Sequence, residues 1–274
     1  MKSKRHPTEI LVLLVVSMLV SGFVPLQARA ASQVPASDPP YVIQGHVYVY
    51  DTTTGLAGAR VRLQFETCDD GVPDLRTVTL PLTDASGAWE FDERDYEQPG
   101  GLGCPCPGTP FTITQQIVPA GYIAVAVRTP ADSAPVRGDT IVLTPPGSGT
   151  YDGNLFFDRR PYILRGRVIN DDTGAGVAGV EVSFDTLRGA FATMTDAAGA
   201  WEFDEAQELS VADYLPDDSA DFTVELTVPD GFWAADPIVH AAGTVNSRTQ
   251  LGFPDVPPDT YAGNEFHIAE QKDV

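Results

Sequence analysis

The sequence contains the same segment twice. Residues 84–93, DASGAWEFDE, recur as DAAGAWEFDE at 196–205, with nine of ten positions identical. The repetition extends beyond this segment. Matching residues are 121 positions apart at the start of the repeated region and 110 apart at its end, so the first copy carries about eleven extra residues. Further landmarks recur in the same order: Gly45-His46-Val47 with Gly166-Arg167-Val168, Val118-Pro119-Ala120-Gly121-Tyr122 with Val228-Pro229-Asp230-Gly231-Phe232, and Tyr151-Asp152-Gly153-Asn154 with Tyr261-Ala262-Gly263-Asn264. Such a chain is expected to fold as two similar modules.

These landmarks predict the domain boundaries. The first module, repeat one, spans 41–160, and the second, repeat two, spans 161–270. The Pro-, Ser- and Asp-rich residues 31–40 are expected to be a flexible lead-in, and 271–274 a short tail. Because the repeats meet directly at Arg160-Pro161, we expect them in close tandem with limited independent motion.

The N-terminus has the pattern of a secretory signal peptide. Basic residues come first, an apolar run at 10–20 follows, and Ala28-Arg29-Ala30 forms a small-x-small cleavage site. The apolar run is shorter than the roughly 20 residues of a membrane span. We therefore predict cleavage of residues 1–30, no membrane span in the mature chain, and a secreted or cell-surface protein; a retained N-terminal anchor is the alternative.

The charge narrows the range of partners. Removing residues 1–30 leaves 13 basic and 37 acidic side chains, a net charge of −24. Such a surface repels phosphate backbones and excludes a classical nucleic-acid binder. We expect a soluble monomer whose partner is an extracellular protein or a glycan.

Within each repeat, apolar residues alternate with polar ones at the period of a strand. The segments 59–65 and 180–185 show this most clearly. The pattern predicts half-buried antiparallel strands, seven or so per repeat, packed as a two-layer sandwich. The same alternation places Trp89 and Trp201 in the core, whereas Trp233 is the best candidate for an exposed aromatic residue.

The pattern of G-x-V, then T-x-x-G-x-x-G-x-x-V-x-L/F, then T-D-x-x-G-x-W/Y-x-F resembles the carboxypeptidase regulatory-like domain and the B-type repeats of Gram-positive surface adhesins. It is read at Gly45–Val47, Thr52–Phe65 and Thr83–Phe91, and again at Gly166–Val168, Thr173–Phe184 and Thr195–Phe203. The resemblance implies a transthyretin-like, or prealbumin-like, β-sandwich with a structural, spacer or binding role outside the cell and no catalysis.

One property of those adhesin repeats is excluded here. Several form an isopeptide bond between a first-strand Lys and a last-strand Asn, and Asn154 and Asn264 occupy plausible last-strand positions. No lysine exists between residues 5 and 271, so the bond cannot form. The two asparagines are instead interpreted as turn or strand-entry residues that bond their own backbone.

The three cysteines all lie in repeat one. In an oxidising compartment we expect one disulfide, from Cys68 to either Cys104 or Cys106, with one thiol left over. A metal site that combines Cys104-Pro105-Cys106 with Cys68 and a histidine is the alternative, although the spacing is not that of a known zinc motif.

Acidic clusters suggest one cofactor, calcium. Asp69, Asp70 and Asp74 come nearest to a run of loop ligands, since Ca²⁺ takes six to eight oxygens. A solvated acidic surface is the competing interpretation.

The sequence assembles no nucleophile, base or metal triad, so we predict a non-enzymatic protein. The predicted function is a structural spacer or an adhesion and binding module, with a carbohydrate-binding module or a calcium-stabilised adhesion repeat as alternatives. Its specificity is expected in the loops 66–76, 94–110 and 206–220, where the repeats differ most.

Overall fold

The computed structural model describes residues 39–68, 73–96, 105–210 and 212–272. The described chain is all-β, with four sheets, and the predicted fold class is confirmed. The predicted signal peptide and most of the lead-in lie outside these residues. Both repeats belong to one compact unit that begins at Pro39. Among the described residues, no helix is long and apolar enough to cross a membrane.

Repeat one contributes two sheets. Its strands are β1 Tyr41–Val49, β2 Arg60–Thr67, β3 Asp74–Leu82, β4 Ala88–Asp92, β5 Phe111–Ile117, β6 Ile123–Arg128, β7 Val136–Arg137, β8 Thr140–Leu143 and β9 Gly149–Arg159. One sheet has the order β4-β1-β9-β6-β7 and the other β3-β2-β5-β8. A 3₁₀ turn at Glu93–Asp95 follows β4.

Repeat two is built in the same way. Its strands are β10 Ile163–Asn170, β11 Glu181–Thr186, β12 Gly189–Met194, β13 Ala200–Asp204, β14 Ala220–Leu226, β15 Phe232–Ala234, β16 Thr244–Ser247, β17 Gln250–Val256 and β18 Thr260–Glu270. Its sheets have the orders β13-β10-β18-β15 and β12-β11-β14-β17-β16. A single-turn α-helix, α1, spans Glu205–Glu208.

The prediction that all strands pair antiparallel is wrong for one pair in each repeat. Strands β1 and β9 run parallel, and so do β10 and β18. Alternating burial shows which face of a strand is covered, but it carries no information on the direction of the neighbouring strand. Each repeat begins and ends in the same sheet, and the intervening chain crosses to the other sheet and back, which allows a parallel pair.

Each repeat has its own aromatic core. In repeat one, the rings of Phe65, Phe91 and Phe111 contact one another with centroids 5.1 to 6.3 Å apart. Trp89 and Trp201 are buried in their respective cores, as the alternation predicts. Burying one such side chain stabilises the fold by about 1.5–3 kcal/mol, so these rings supply much of the driving force.

The repeated motif residues perform structural tasks. Gly166 lies under the indole of Trp201, and a Cβ at this position would stand 2.2 Å from Trp201 Cζ2. Thr195 Oγ1 donates to Val177 O at 2.7 Å and accepts from the backbone N–H of Val180 at 2.9 Å. The motif therefore specifies close packing and a tied turn, which explains why it recurs in both repeats.

The Asp and Gly of the repeated segment form a tight turn. Asp196 Oδ1 accepts the backbone N–H groups of Ala198 and Ala200, both at 2.8 Å. Gly199 has φ +74°, a conformation that favours glycine. Asp84 and Gly87 repeat this geometry in repeat one. The turn carries the chain from one sheet to the other, from β3 to β4 in repeat one and from β12 to β13 in repeat two.

Candidate functional site

The predicted calcium ligands are only partly described. Asp69 and Asp70 lie outside the described residues, and Asp74 forms an ion pair of 2.9 Å with Arg76. The described part of the chain contains no group of three or more His, Cys, Asp or Glu side chains that could hold a metal ion. Calcium binding at 69–74 stays a prediction. A melting temperature that rises with added calcium would support it, and an unchanged melting curve would contradict it.

Cys68 and Cys106 form a disulfide in the structure, with their Cα atoms 5.3 Å apart. Their neighbours Thr67 and Pro105 form an isolated antiparallel bridge, and the Cys106 N–H donates to Glu66 O at 2.8 Å. Cys104, the other candidate partner, lies outside the described residues. The disulfide fastens the extra segment of repeat one to the end of β2.

The two asparagines bond their own backbone as predicted, since Asn154 Nδ2 donates to Tyr151 O and Asn264 Nδ2 to Tyr261 O, but they are not turn or strand-entry residues. Asn154 and Asn264 are fully buried inside the long last strands β9 and β18. Asn264 Nδ2 donates to Tyr261 O and also, at 2.8 Å, to Arg165 O of the first strand. They occupy the point where the parallel register shifts, so their amides satisfy backbone groups that the bulge leaves unpaired.

The most densely bonded polar group of the described chain lies where the repeats meet. Arg159, at the end of β9, is 4% exposed, and Glu205, at the start of α1, is fully buried. The guanidinium donates two parallel hydrogen bonds to the Glu205 carboxylate, at 2.8 and 2.9 Å. A third bond of 2.9 Å reaches Asp217 Oδ1. This is the bidentate geometry in which arginine binds carboxylates most specifically.

The remaining donors of Arg159 are also used. They reach Arg160 O at 2.9 Å and Leu215 O at 3.0 Å, so all five N–H groups have acceptors. The guanidinium also lies 5.2 Å from the ring centroid of Tyr162. Burial acts to lower the pKa of Arg159, but the hydrogen bonds and charges of Glu205 and Asp217 outweigh it, and the pKa is raised. The cation is held in its charged form.

Glu205 ties the junction to the first strand of repeat two. Its carboxylate accepts the backbone N–H of Tyr162 at 3.0 Å and that of Leu215 at 2.7 Å. Glu93, its counterpart in repeat one, accepts the N–H of Tyr41 at 2.9 Å in the same way. The WEFDE segment therefore encodes a clamp on the first strand of each repeat, and Arg159 extends the clamp of repeat two across the boundary.

An apolar contact accompanies the ionic one. Tyr214 and Leu209 of repeat two pack against the outer face of β6 and β9 in repeat one, where they meet Val125 and Phe157. These two residues belong to the segment 206–220, where the sequence predicts a specificity loop. The structure instead places Leu209, Tyr214, Leu215 and Asp217 in the contact between the repeats.

A second buried polar pair lies inside repeat one. Asp158 is fully buried, and its Oδ2 accepts a hydrogen bond of 2.7 Å from Gln115 Nε2. Its Oδ1 and Gln115 Oε1 have no partner among the described residues. Burial raises the pKa of Asp158 to about 7, although the Gln115 hydrogen bond acts to lower it. The strand register places Leu226 and Ile268 at the equivalent positions of repeat two.

Neither Arg159 nor the Gln115–Asp158 pair lies in a sequence motif that predicts its role. A signal was present in the duplication, because aligning the last strands sets Asp158 and Arg159 against Ile268 and Ala269. A charged residue in one copy where the other has an apolar residue marks a position with a different environment. Trp233, the predicted exposed aromatic residue, is 47% exposed on the edge strand β15.

The outer face of repeat one carries open recesses. One, of about 680 Å³, is lined by Tyr48, Tyr50 and Arg128 among others. The adjoining one, of about 720 Å³, also includes Tyr48 and Arg128 and extends to His46 and the Trp89 edge. Two adjoining recesses with a shared wall form one elongated trough on this face.

No protein-family model and no curated protein matches the chain. Among solved structures, it is similar to the shaft pilin SpaA of Lactobacillus rhamnosus GG, with 11% identity, a TM-score of 0.34, and coverage of 86% of this chain and 99% of that one. A streptococcal ancillary pilin gives 9% identity, a TM-score of 0.34, and coverage of 86% and 64%. A C-terminal fragment of the pilus adhesin SpaC of the same Lactobacillus has 12% identity and a TM-score of 0.30. The match covers 86% of this chain and 99% of the fragment. At these scores the similarities carry no conclusion about this chain.

Proposed function

We propose that this protein is a non-catalytic secreted or cell-surface spacer, in which two prealbumin-like sandwiches form one rigid body. The observation that carries the proposal is the buried junction of Arg159 with Glu205 and Asp217. A flexible tandem would expose this boundary to water. Here the Arg159 guanidinium, whose five N–H groups all have acceptors, joins the repeats. The apolar contact between Tyr214 and Phe157 adds to this connection.

The energetic cost of breaking the junction supports the spacer role. Removing one partner of a buried ion pair destabilises a protein by about 3–5 kcal/mol, because the other charge stays buried without compensation. The peptide linker itself is only Arg160-Pro161, and proline restricts its backbone. A short stiff linker together with a buried ionic contact holds two modules at a fixed angle, which is what a spacer requires.

The extracellular part of the proposal rests on the leader, the disulfide and the charge. Residues 1–30 have the pattern of a cleaved signal peptide, and a disulfide persists in oxidising compartments. Fractionation of the source cells, with detection by antibody, is expected to find the protein in the medium or at the cell surface. Recovery in the cytoplasm with residues 1–30 intact would contradict this part.

Rigidity is tested by ¹⁵N relaxation of the full chain. The native repeats are expected to share one rotational correlation time, whereas Arg159→Ala is expected to give two different times. Glu205→Gln, which removes the charge but keeps the shape, should show an intermediate loss. Arg165→Ala is the matched control, because the Arg165–Glu202 pair is exposed and lies within repeat two. Independent tumbling of the native repeats would overturn the proposal.

A further inference from the structure

We propose that the trough on the outer face of repeat one is a binding site for a neutral oligosaccharide, seated along β1 from Gln44 and reaching Tyr50 in the turn that follows. The trough is lined by repeat one, and it adjoins the contact with repeat two, because Tyr50 and Phe157 belong to the same apolar cluster as Tyr214. The proposal rests on the shape of the trough, its aromatic wall, its free polar groups and the contrast with repeat two.

The shape suits an elongated ligand. The two recesses share Tyr48, Thr53, Arg128 and Leu155, so they are continuous. The strand from Gln44 to Val49 spans roughly 17 Å, the length of a short linear chain of sugar rings. Each recess has a volume within the usual range of ligand sites, about 300–1,000 Å³.

The wall of the trough is aromatic and held in position. The rings of His46 and Tyr48 stack with centroids 5.1 Å apart and planes 15° apart. Tyr50 contacts Phe157 edge-on at 6.1 Å. The C–H faces of sugar rings pack on aromatic faces, whose π-electrons are negative. Because ring contacts already fix these side chains, little conformational entropy remains to be lost on binding.

Most polar groups around these rings have no hydrogen-bond partner. The side chains of Gln44, Thr53 and Asp152 make no hydrogen bond with any described residue. Arg128 makes no ion pair there, and its guanidinium lies 5.8 Å from the ring centroid of Phe157. Together they offer an amide, a hydroxyl, a carboxylate and a guanidinium. Adjacent sugar hydroxyls both donate and accept, so this mixture matches them, and polar groups of this kind give a pocket its orientation and specificity.

Repeat two provides an internal comparison. Its equivalents of His46 and Tyr48 are Arg167 and Ile169, and Leu155 is replaced by Glu265. Arg167 donates to Ala198 O at 3.0 Å, so its polar group is committed within the repeat. The same sandwich therefore folds without the aromatic wall, and the wall of repeat one is not a requirement of the fold.

The charge of the chain selects a neutral ligand. A protein with formal net charge −21 repels polyanions, and Arg128 is accompanied in the trough by Asp51 and Asp152. Aromatic grooves also bind proline-rich peptides, which are uncharged and extended. The trough holds free groups that both donate and accept, whereas a proline-rich backbone offers mainly acceptors, and this favours the saccharide.

The test is calorimetric titration of the full chain with maltohexaose, cellohexaose and chitohexaose, and with a proline-rich decapeptide. We expect one hexasaccharide to bind. The double variant His46→Arg/Tyr48→Ile gives repeat one the residues that repeat two tolerates, so it should fold. It is expected to weaken that binding about tenfold or more, since buried aromatic anchors dominate such sites.

The matched control is Trp233→Ala, which removes the exposed aromatic residue of repeat two and should leave the affinity unchanged. The proposal is overturned if no hexasaccharide binds, if binding survives the double variant, if Trp233→Ala abolishes it, or if only the peptide binds. The spacer role is tested separately, by ¹⁵N relaxation of the Arg159→Ala variant.

Discussion

Replacing Asp158 by asparagine is expected to stabilise the protein at neutral pH. The carboxylate is fully buried in repeat one, and Gln115 is its one side-chain hydrogen-bond partner among the described residues. In the unfolded chain it ionises near pH 3.8, and burial raises the folded pKa to about 7. Between these pH values the folded chain keeps a proton that the unfolded chain releases, so rising pH favours unfolding.

The magnitude follows from the two pKa values. A difference of about 3 corresponds to about 4 kcal/mol, since each pKa unit is worth 1.36 kcal/mol. The destabilisation is absent below about pH 4, grows through pH 4–7, and is complete above pH 7. In the Asp158→Asn variant the new side chain has the same shape without the charge, and its amide could donate to Gln115 Oε1. The variant should therefore gain up to about 4 kcal/mol at pH 8 and almost nothing at pH 4.

The assay is urea unfolding of both proteins between pH 4 and pH 8, from which the free energy of unfolding is obtained. Subtracting the free energies of unfolding of the two proteins at each pH removes the contribution of the titratable groups that both contain. Asp152→Asn is the control, because Asp152 lies on the same strand and is exposed. The double variant Gln115→Leu/Asp158→Ile gives repeat one the residues that repeat two has at these positions, Leu226 and Ile268. It should also remove this part of the pH dependence of the free energy of unfolding. A difference that stays constant from pH 4 to pH 8 would refute the argument.

Two further outcomes are expected. Gly166→Ala should lower the free energy of unfolding by about 3 kcal/mol in urea titrations, because the new Cβ would stand 2.2 Å from Trp201 Cζ2 and 2.4 Å from Asn264 O; a loss below about 1 kcal/mol would contradict the packing. Reduction of the Cys68–Cys106 disulfide, which links residues 38 apart, should cost about 2–4 kcal/mol. Calorimetry with and without reductant measures it, and identical melting curves would show that the bond does not stabilise the fold.

The fold class was predictable because strand burial is a local property. An apolar residue at every second position needs a covered face wherever the strand lies, so Trp89 and Trp201 could be placed in the core from sequence alone. The geometry of the repeated turn is equally local, since Asp196 accepts the N–H groups of Ala198 and Ala200 and Gly199 has a positive φ within the same turn. Such inferences require no knowledge of distant neighbours.

The candidate sites could not be predicted in the same way. Arg159 meets Glu205 and Asp217, which lie 46 and 58 residues further along the chain. No pattern of neighbouring letters identifies such a contact. The trough is equally non-local, because it joins β1 to Arg128 of β6 and to Asp152 of β9. Alternation places His46 and Tyr48 on the outer face but does not show whether that face is covered.

The sequence by itself determined that this chain encodes two similar β-sandwiches, since period-two alternation and repeated turns act over a few residues. Tertiary structure alone decided that β1 and β9 run parallel, that Arg159 joins the repeats, and that one outer face is partly covered and partly open. The physical reason is that strand direction, ion pairing and surface shape depend on which distant segments meet in space, and one-dimensional periodicity does not contain that information.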